Sequence, residues 1–516
     1  MKTLPQAGLQ RLEPLSPEKR LLINLNPDER LHRAKQEESR MKLSGATNRA
    51  ARLAAAVLFF CLVSMSLAAR VKPRVIATTD GEIDDQSTMV RFLLYACDYD
   101  VAGIVQVNSR FQRNGHSKDK WCEKQLEAYA GLVPQLRKHN PGYPSADALR
   151  KVMTVGNETQ ADLYIEPAKM QTQNTEGEKF IIDILLDDDP RPVHIGCWGG
   201  ANTPASALCR LKYSGDYTRA QFEKAVAKAR LYCIWYQDGG GQWIEDNVKE
   251  AQIFEAWGWW RTWDYGSGGG KRSTYNPKEV VEYMTSEWFN TNQKKNHGPL
   301  ASMTPQKFIS EGDTPSWLNL INNGLEAHVD YTLGGWGGRA IFPYPDAKPN
   351  YLTDDPGASK IGGGPSSKAI TDDGDPKKMN WRWTIAAQND FAARLDWCIK
   401  EFAQANHAPL ARFNGTTVED GPMVKINAMP GETVSLDATG SIDPDNNTLS
   451  YQWWVYKEPG TYGKAVEIKD PANPKASMTI PSDAQNKTIH VILEVTDNGE
   501  PPLKGWRRAI ITVKAD

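Results

Sequence analysis

The stretch Arg74-Val75-Ile76-Ala77-Thr78-Thr79-Asp80-Gly81-Glu82-Ile83-Asp84-Asp85 decides the fold. A short β-branched run ends in a polar turn, and Met89, Phe92, Leu93 and Ala96 follow at helical spacing. Strand, turn and helix in that order place Asp80 at the carboxyl end of a strand. Asp84 and Asp85 then fall in or just before the first helical turn. Acidic residues there are ordinary, because a helix N-terminus favours negative charge. Three carboxylates converging on one strand end are not ordinary, because open α/β sheets bind their ligands there. Such groups repel one another unless a cation lies between them, and a hard cation takes oxygen donors of this kind. On spacing alone an acidic helix cap without a metal is the alternative.

Outward from this stretch, strand and helix patterns alternate from 73 to about 405. Val101 to Val107 reads as a second strand, and 120–138 as a helix with Leu126, Tyr129, Ala130 and Val133 on one face. Helices at Lys179 to Leu186 and Ala220 to Ala229 precede strands at Pro192 to Cys197 and Leu231 to Tyr236. Such alternation predicts an α/β domain, a mostly parallel sheet with helices on both faces. Gly266 to Gly270, Gly362 to Pro365 and the Pro-rich Ala340 to Pro349 read as loops over that scaffold. Near Pro409 the grammar changes. Val434 to Ala438, Leu449 to Tyr456, Ile489 to Val495 and Ala509 to Val513 are short alternating segments separated by turns such as Asp443-Pro444-Asp445-Asn446. They predict an all-β sandwich over 410–516, long enough to fold by itself.

The chain has 516 residues, 40% of them hydrophobic and 24% charged, with a formal net charge of -2. That is the composition of a globular protein, and it argues against a nucleic-acid surface or a polybasic membrane patch. Seven cysteines are too few for a disulfide scaffold at this length. Cys97, Cys197 and Cys233 lie in apolar runs and read as buried small hydrophobes. With no Cys-x-x-Cys pair and no Cys/His cluster, zinc is not expected. Seventeen tryptophans are many. Trp257, Trp259, Trp260 and Trp263 cluster in sequence and suit stacking on flat sugar faces, with burial against the sheet as the competing role for at least two of them.

Residues 1–40 are polar, with no apolar periodicity long enough for a core; they read as disordered or as an over-extended start ahead of Met41. Lys42, Arg49 and Arg52 precede an apolar run from Leu53 to Ala68 that ends in Ser66-Leu67-Ala68. This is the layout of a secretory signal peptide over 41–68, with a mature start near Ala69. The run, about 16 residues, is short for a membrane span, so a secreted or periplasmic protein without a stable span is expected.

The aspartate stretch resembles the amino-terminal motif of the nucleoside hydrolases, Asp-Thr-Asp-Pro-Gly-Ile-Asp-Asp. Here Thr78 stands at the first Asp and Gly81-Glu82 at the Pro-Gly pair, while Asp80, Asp84 and Asp85 match the metal-side aspartates. The variant found here, with Gly334-Gly335-Trp336-Gly337-Gly338-Arg339, more closely resembles a secreted bacterial branch. Its members are called cellulose-binding proteins with a nucleoside hydrolase-like domain. The resemblance covers nearly the whole chain after residue 72. The Gly-Ser-x-Asp-Pro-Asp stretch at 440–445 resembles immunoglobulin-like modules of secreted bacterial enzymes.

The resemblance implies one Ca²⁺ held by Asp80, Asp85, Asp313 and the backbone carbonyl of Ala201, with Asp84 beside it. Asp313 matches the family's late metal aspartate, but Gly312 stands where the family has a His on the leaving-base side. His116 and His328 offer no pattern that would make either a replacement. Asn202 aligns with the Asn of the family's Gly-Pro-Leu-Thr-Asn segment. Gln237 and Asp238 end a strand whose equivalent leads to ribose-holding residues; Asn247 is a weaker candidate, and Asn108 follows the second strand. Trp336 and Arg339 lie in the glycine-rich stretch, where an Arg suggests either a polar ligand or an exposed loop. The implied activity is hydrolysis of an N-glycosidic or related glycosidic bond, with Asp80 as general base and Asp84 on the sugar. The alternative is a non-catalytic protein that binds cellulose or another plant or microbial polysaccharide. Gly312 favours a substrate other than ordinary nucleosides.

Overall fold

β1 (Arg74–Thr79) is buried along its whole length, as a strand covered by helices on both faces must be. Ile76 faces one apolar core with Val105, Ile181, Ile195 and Leu208, whereas Val75 and Ala77 face the other with Phe92, Leu93 and Leu126. In this computed structural model the described residues are 71–159, 173–258, 262–263, 265, 276–305, 311–358, 366–421 and 423–515. The expected signal peptide and leader, the two glycine-rich insertions, Trp259 and Trp260 lie outside them.

β1 leads through a three-residue turn, Asp80-Gly81-Glu82, into α1 (Ile83–Leu94), then β2 (Asp100–Gln106), α2 (Trp121–His139), α3 (Ala146–Lys151) and β3 (Met153–Val155). α4 (Glu176–Leu186), β4 (Val193–Cys197), α5 (Asn202–Tyr213), α6 (Arg219–Lys228), β5 (Ala229–Ile234), α7 (Gly239–Asn247) and β6 (Gln252–Ala256) continue the alternation. Short helical turns follow, then β7 (Tyr351–Thr353) and the long α8 (Lys378–Trp397). The seven strands are ordered β3-β2-β1-β4-β5-β6-β7, all parallel. Strand order reverses between β1 and β4, so the crevice of the sheet opens beyond their carboxyl ends. That is where Asp80 and Trp198-Gly199-Gly200 emerge.

The C-terminal strands are β8 (Val424–Ala428), β9 (Thr433–Asp437), β10 (Ser450–Val455), β11 (Lys475–Thr479), β12 (Thr488–Thr496) and β13 (Lys504–Val513). A four-stranded sheet, β10-β12-β13-β8, and a two-stranded sheet, β11-β9, enclose Leu436, Met478, Trp453, Val491 and Leu493. This sandwich is not a separate compact unit: residues Arg70–Asp516 form one. Tyr456, Ile492 and Trp506 belong to the same apolar core as Phe92, Trp317 and Trp383. Arg508, fully buried, donates to the carbonyls of Leu325, Leu333 and Gly334 on the α/β side. Gly324 adopts φ +89°, and a Cβ there would lie 1.7 Å from the Trp506 carbonyl oxygen.

The six described cysteines are buried and free. No described helix is long and apolar enough to cross a membrane.

Candidate functional site

Gly81 makes the turn after β1 with φ +75°, a conformation that L side chains disfavour. Its α-carbon faces His116 and the Trp121 indole, and a Cβ would lie 2.7 Å from each. The turn brings Asp85, in the first turn of α1, back to the strand end. Its Oδ1 accepts the Asp80 amide at 3.1 Å and the Thr79 hydroxyl. Asp80 is 2% exposed, and its Oδ1 accepts the Glu82 amide at 3.2 Å. Its other oxygen, Oδ2, is buried with no hydrogen-bond partner.

Asp313 arrives from the other side on the loop before a short helix, Pro315–Leu318. Asp84, Asp85 and Asp313 each offer a carboxylate oxygen, all within 4.8 Å of one another, and Asp313 Oδ2 is also buried without a partner. Burial is the main force raising every one of these carboxyls. Asp80 is raised against the pull of Ser109, Asp85 and the Glu82 amide. Asp84, at the mouth, is pushed up to about 8 by burial and then by the Glu82 and Asp80 charges. Asp85 and Asp313 are pushed well up by burial and then by their carboxylate neighbours. Two orphaned oxygens within a mutually repelling set of hard donors fit a divalent cation such as Ca²⁺, which takes six to eight oxygen ligands.

A buried ion pair holds the two halves together. Arg91 on α1 donates Nε to Glu311 Oε2 at 2.6 Å, and both side chains are fully buried. Arg91 also reaches Gln388 at 2.6 Å and the Ala387 carbonyl at 3.2 Å on α8, and its guanidinium lies 3.7 Å from the Phe391 ring centroid. Thr314 bonds Thr88 at 3.1 Å and Glu311 at 3.2 Å. The Asp313 loop is thereby fastened to the helix that bears Asp84 and Asp85. Arg91 was missed in the sequence; its signal is a charge at 91 amid the apolar run Met89-Val90 and Phe92-Leu93-Leu94.

Gly312 is explained by crowding. A Cβ there would lie 2.4 Å from Asp84 Oδ2, so Asp84 occupies the space that a side chain at 312 would need. His116 stands at the mouth, its ring nitrogens 2.8 Å from Asp119 and 2.8 Å from Gln112. His328 lies instead beside Glu326 and His194, and His194 is in the amino-terminal half of β4, at the opposite end of the sheet.

The other expected site residues divide into two groups. Asn108, Asn202, Gln237 and Asp238 lie together beyond the strand ends, but they bind one another and the backbone. Asn202 Nδ2 donates to Asn108 Oδ1 at 2.7 Å, and Asn108 Nδ2 donates to the carbonyls of Arg113 and Thr159. Gln237 donates to the carbonyls of Trp198 and Ile234. Asp238 accepts the amides of Gly240, Asn202 and Ala201 at 2.7, 3.0 and 3.2 Å, capping α7 and tying it to α5. Burial raises its carboxyl to about 6 against those amides. Ala201, expected to give its carbonyl to the metal, caps α5. Its carbonyl accepts the Ala205 amide at 2.9 Å within α5 and faces Gly240, and it is Gly199 whose backbone meets Asp80. A Cβ at Gly199 would lie 2.8 Å from Asp80 Oδ2. Asn247 donates to the Trp243 carbonyl within α7.

Trp336 and Arg339 are engaged toward the sandwich. Trp336 is buried edge-on to Trp506 of the sandwich at 5.6 Å. Arg339 donates to Asp372 at 2.8 and 3.0 Å, and Asp372 accepts the Tyr456 hydroxyl at 2.7 Å. Of the tryptophan cluster, Trp257 and Trp263 are both buried.

Residues 74–340 match the family model described as cellulose-binding Sde182, nucleoside hydrolase-like domain. The chain belongs to this family. Residues 433–513 match the companion model, the C-terminal domain of cellulose-binding protein Sde0182. A solved structure covering 86% of this chain and 100% of its own is similar at 29% identity and TM-score 0.70. It is a nucleoside hydrolase-related hypothetical protein from Saccharophagus degradans, described as associated with carbohydrate metabolism. The PKD domain from KIAA 1837 protein matches 22% of this chain and 94% of its own at 18% identity and TM-score 0.16. No curated protein matches the chain.

Proposed function

We propose that this protein is an exported hydrolase that cleaves a glycosidic bond in a carbohydrate or glycoside, using Ca²⁺ at the Asp84–Asp85–Asp313 cluster with Asp80 beside it. The observation that carries the reading is the pair of buried, unpartnered oxygens, Asp80 Oδ2 and Asp313 Oδ2, at the reversal point of the sheet. A buried carboxylate without a partner is expensive to maintain unless a ligand completes it. Asp84, Asp85 and Asp313 would hold the ion, with the unpartnered Asp80 Oδ2 beside them. A bound Ca²⁺ would lower the pKa of a water there and orient it. Asp80 would accept a proton from a water attacking the anomeric carbon, as general base. Asp84 and Asp313 carry oxygens that can hold sugar hydroxyls while positive charge develops on the ring, as in glycoside hydrolysis. With Gly312 in place of the family's His, no imidazole at 312 protonates a leaving base. This supports a sugar or aryl glycoside over ordinary nucleosides. The family's cellulose-binding description supports a carbohydrate ligand and an extracellular setting, with export through 41–68.

The family description also supports a second reading, a non-catalytic grip on cellulose. Purified full-length protein supplied with calcium, tested on aryl glycosides, cello-oligosaccharides and nucleosides and on insoluble cellulose, separates the two. Hydrolysis of any of these, abolished in Asp80→Asn, supports the enzyme. Retention on cellulose with no hydrolysis overturns it in favour of the binder.

A further inference from the structure

His139 ends α2, and its ring meets that of His407 on the segment leading into the sandwich. His139 Nδ1 lies 2.9 Å from His407 Nε2, and both side chains are buried. An acceptor stands at the far side of each ring. His139 Nε2 lies 2.8 Å from the Lys400 carbonyl oxygen, just past α8. His407 Nδ1 lies 3.0 and 3.1 Å from the two Asp445 carboxylate oxygens, and Asp445 also accepts the His407 amide at 2.7 Å. The chain of bonds runs from α2 through both rings to the sandwich turn at 443–446.

Counting hydrogens fixes the protonation of this chain. A carbonyl and an ionised carboxylate only accept, so His139 Nε2 and His407 Nδ1 must each carry a hydrogen. A neutral imidazole has one N–H and one lone pair. Two neutral rings would then point lone pairs at each other across 2.9 Å. Three bonds need three hydrogens, and two neutral rings supply two. The third lies between the rings, and the Asp445 carboxylate balances its charge. Trp397 lies parallel to His139 within 1°, centroids 5.3 Å apart, and Phe402 lies over His407 at 3.9 Å. Aromatic faces suit a cation.

We propose that His139, His407 and Asp445 form a clasp, closed by one shared proton, that fastens the α/β part to the sandwich and is released as pH rises. Burial holds each ring below the ordinary histidine value of 6.5, and a charge on His407 would lower His139 further, so the pair does not take up a second extra proton. The first is different, because it turns a lone-pair clash into a bond. The charged groups facing the pair are Arg394 from α8, Glu401 from the segment after it, and Asp443 and Asp445 from the sandwich. Arg394 opposes the proton, and the three carboxylates favour it. The Lys400 ammonium is paired with Asp396 at 2.9 Å, and Lys138 with Glu401 at 2.7 Å.

The test is urea unfolding of the calcium-supplied full chain across pH, read as the ratio of folding equilibrium constants of wild type and His139→Gln. A glutamine amide can donate to His407 Nε2 without an extra proton. Above pH 6.5 the folded wild type holds a proton that the unfolded chain has released, so its advantage over the variant should fall by up to about tenfold per pH unit. Below pH 6.5 each protein takes up one proton on unfolding, so the ratio should be flat. Groups elsewhere in the chain cancel. Two separately neutral histidines give the reverse shape, a ratio flat above pH 6.5 and falling as pH drops, and that result overturns the clasp. Asp445→Asn removes the balancing charge and should move the alkaline fall to lower pH, which carries the test even where the glutamine variant does not fold. A fall unmoved in Asp445→Asn overturns the clasp as well.

Discussion

Two regions of the sequence look like ligand sites: the aspartate turn at 80–85, and the glycine-rich stretch at 334–339 with its lone Arg. The fold treats them differently. At the aspartate turn, like charges are gathered with two oxygens left unpartnered. At the glycine-rich stretch, Arg339 is matched to Asp372, and the Gly334 and Leu333 carbonyls are matched to Arg508. A Cβ at Gly334 would lie 2.6 Å from the Tyr456 hydroxyl, so the small residue makes room for the sandwich. Charge and glycine in a loop mark a close approach in both places. Whether the approaching partner is a ligand or another part of the chain is decided by what remains unsatisfied.

The largest expected effect falls on chemistry at the first region. Asp80→Asn should lower turnover by about 10²- to 10⁴-fold, the usual contribution of a positioned base. A variant that retains wild-type rates on the best substrate of the screen would remove Asp80 from the mechanism. Next comes the pair that fastens the pocket. Glu311→Gln leaves the Arg91 charge buried and short of its partner, and should destabilise the protein by about 3–5 kcal/mol in chemical denaturation.

Calcium should sharpen the contrast. At a hundredfold excess over its Kd it should add about 2.7 kcal/mol to the wild type and nothing comparable to Asp85→Asn. The pH dependence has a definite sign. Asp84 titrates at about 8 in the folded protein against an ordinary 3.8, so without calcium the folded state holds a proton that the unfolded state releases. Stability in EGTA should therefore fall as pH rises from about 4 to about 8, and the gain from calcium should be greater at pH 8 than at pH 5. A calcium shift that is flat across this range would count against the cluster as the binding site.

The smallest effect tests the second region. Arg339→Gln should lower stability by about 1–3 kcal/mol through the lost bonds to Asp372 Oδ1, and leave calcium and saccharide affinity unchanged. A marked loss of saccharide binding in that variant would return the glycine-rich stretch to the ligand site.

Much of the α/β part was legible because parallel strands buried on both faces write themselves as β-branched runs, and amphipathic helices as a periodic stripe. The expected strands at 101–107 and 192–197 lie within a residue of β2 and β4. β3 and β7, only three residues each, are too short to carry a pattern. α8 was missed because its apolar positions nearly encircle it, with Met379, Trp383, Ala387, Phe391 and Leu395 buried alongside Asn380, Thr384 and Gln388. Asn108, Asn202, Gln237 and Asp238 were recognised as polar groups at strand ends. Their bonds to one another depend on loops distant in sequence, which periodicity does not encode.

By itself the sequence determined the layered architecture, the change to an all-β part after 409, and the aspartates at the end of β1. Those follow from local pattern: side-chain periodicity, turn residues, and charge next to a strand end. Only the tertiary structure decided that Asp313 closes on Asp84 and Asp85, and that Arg91 and Glu311 hold it there. It likewise decided that Gly312 is small because Asp84 fills its space, that Ala201 turns its carbonyl into a helix, and that Trp336 and Arg339 serve the sandwich. The reason is physical. Each of these depends on contacts between segments far apart in the chain, and one sequence records which groups are available without recording which of them meet.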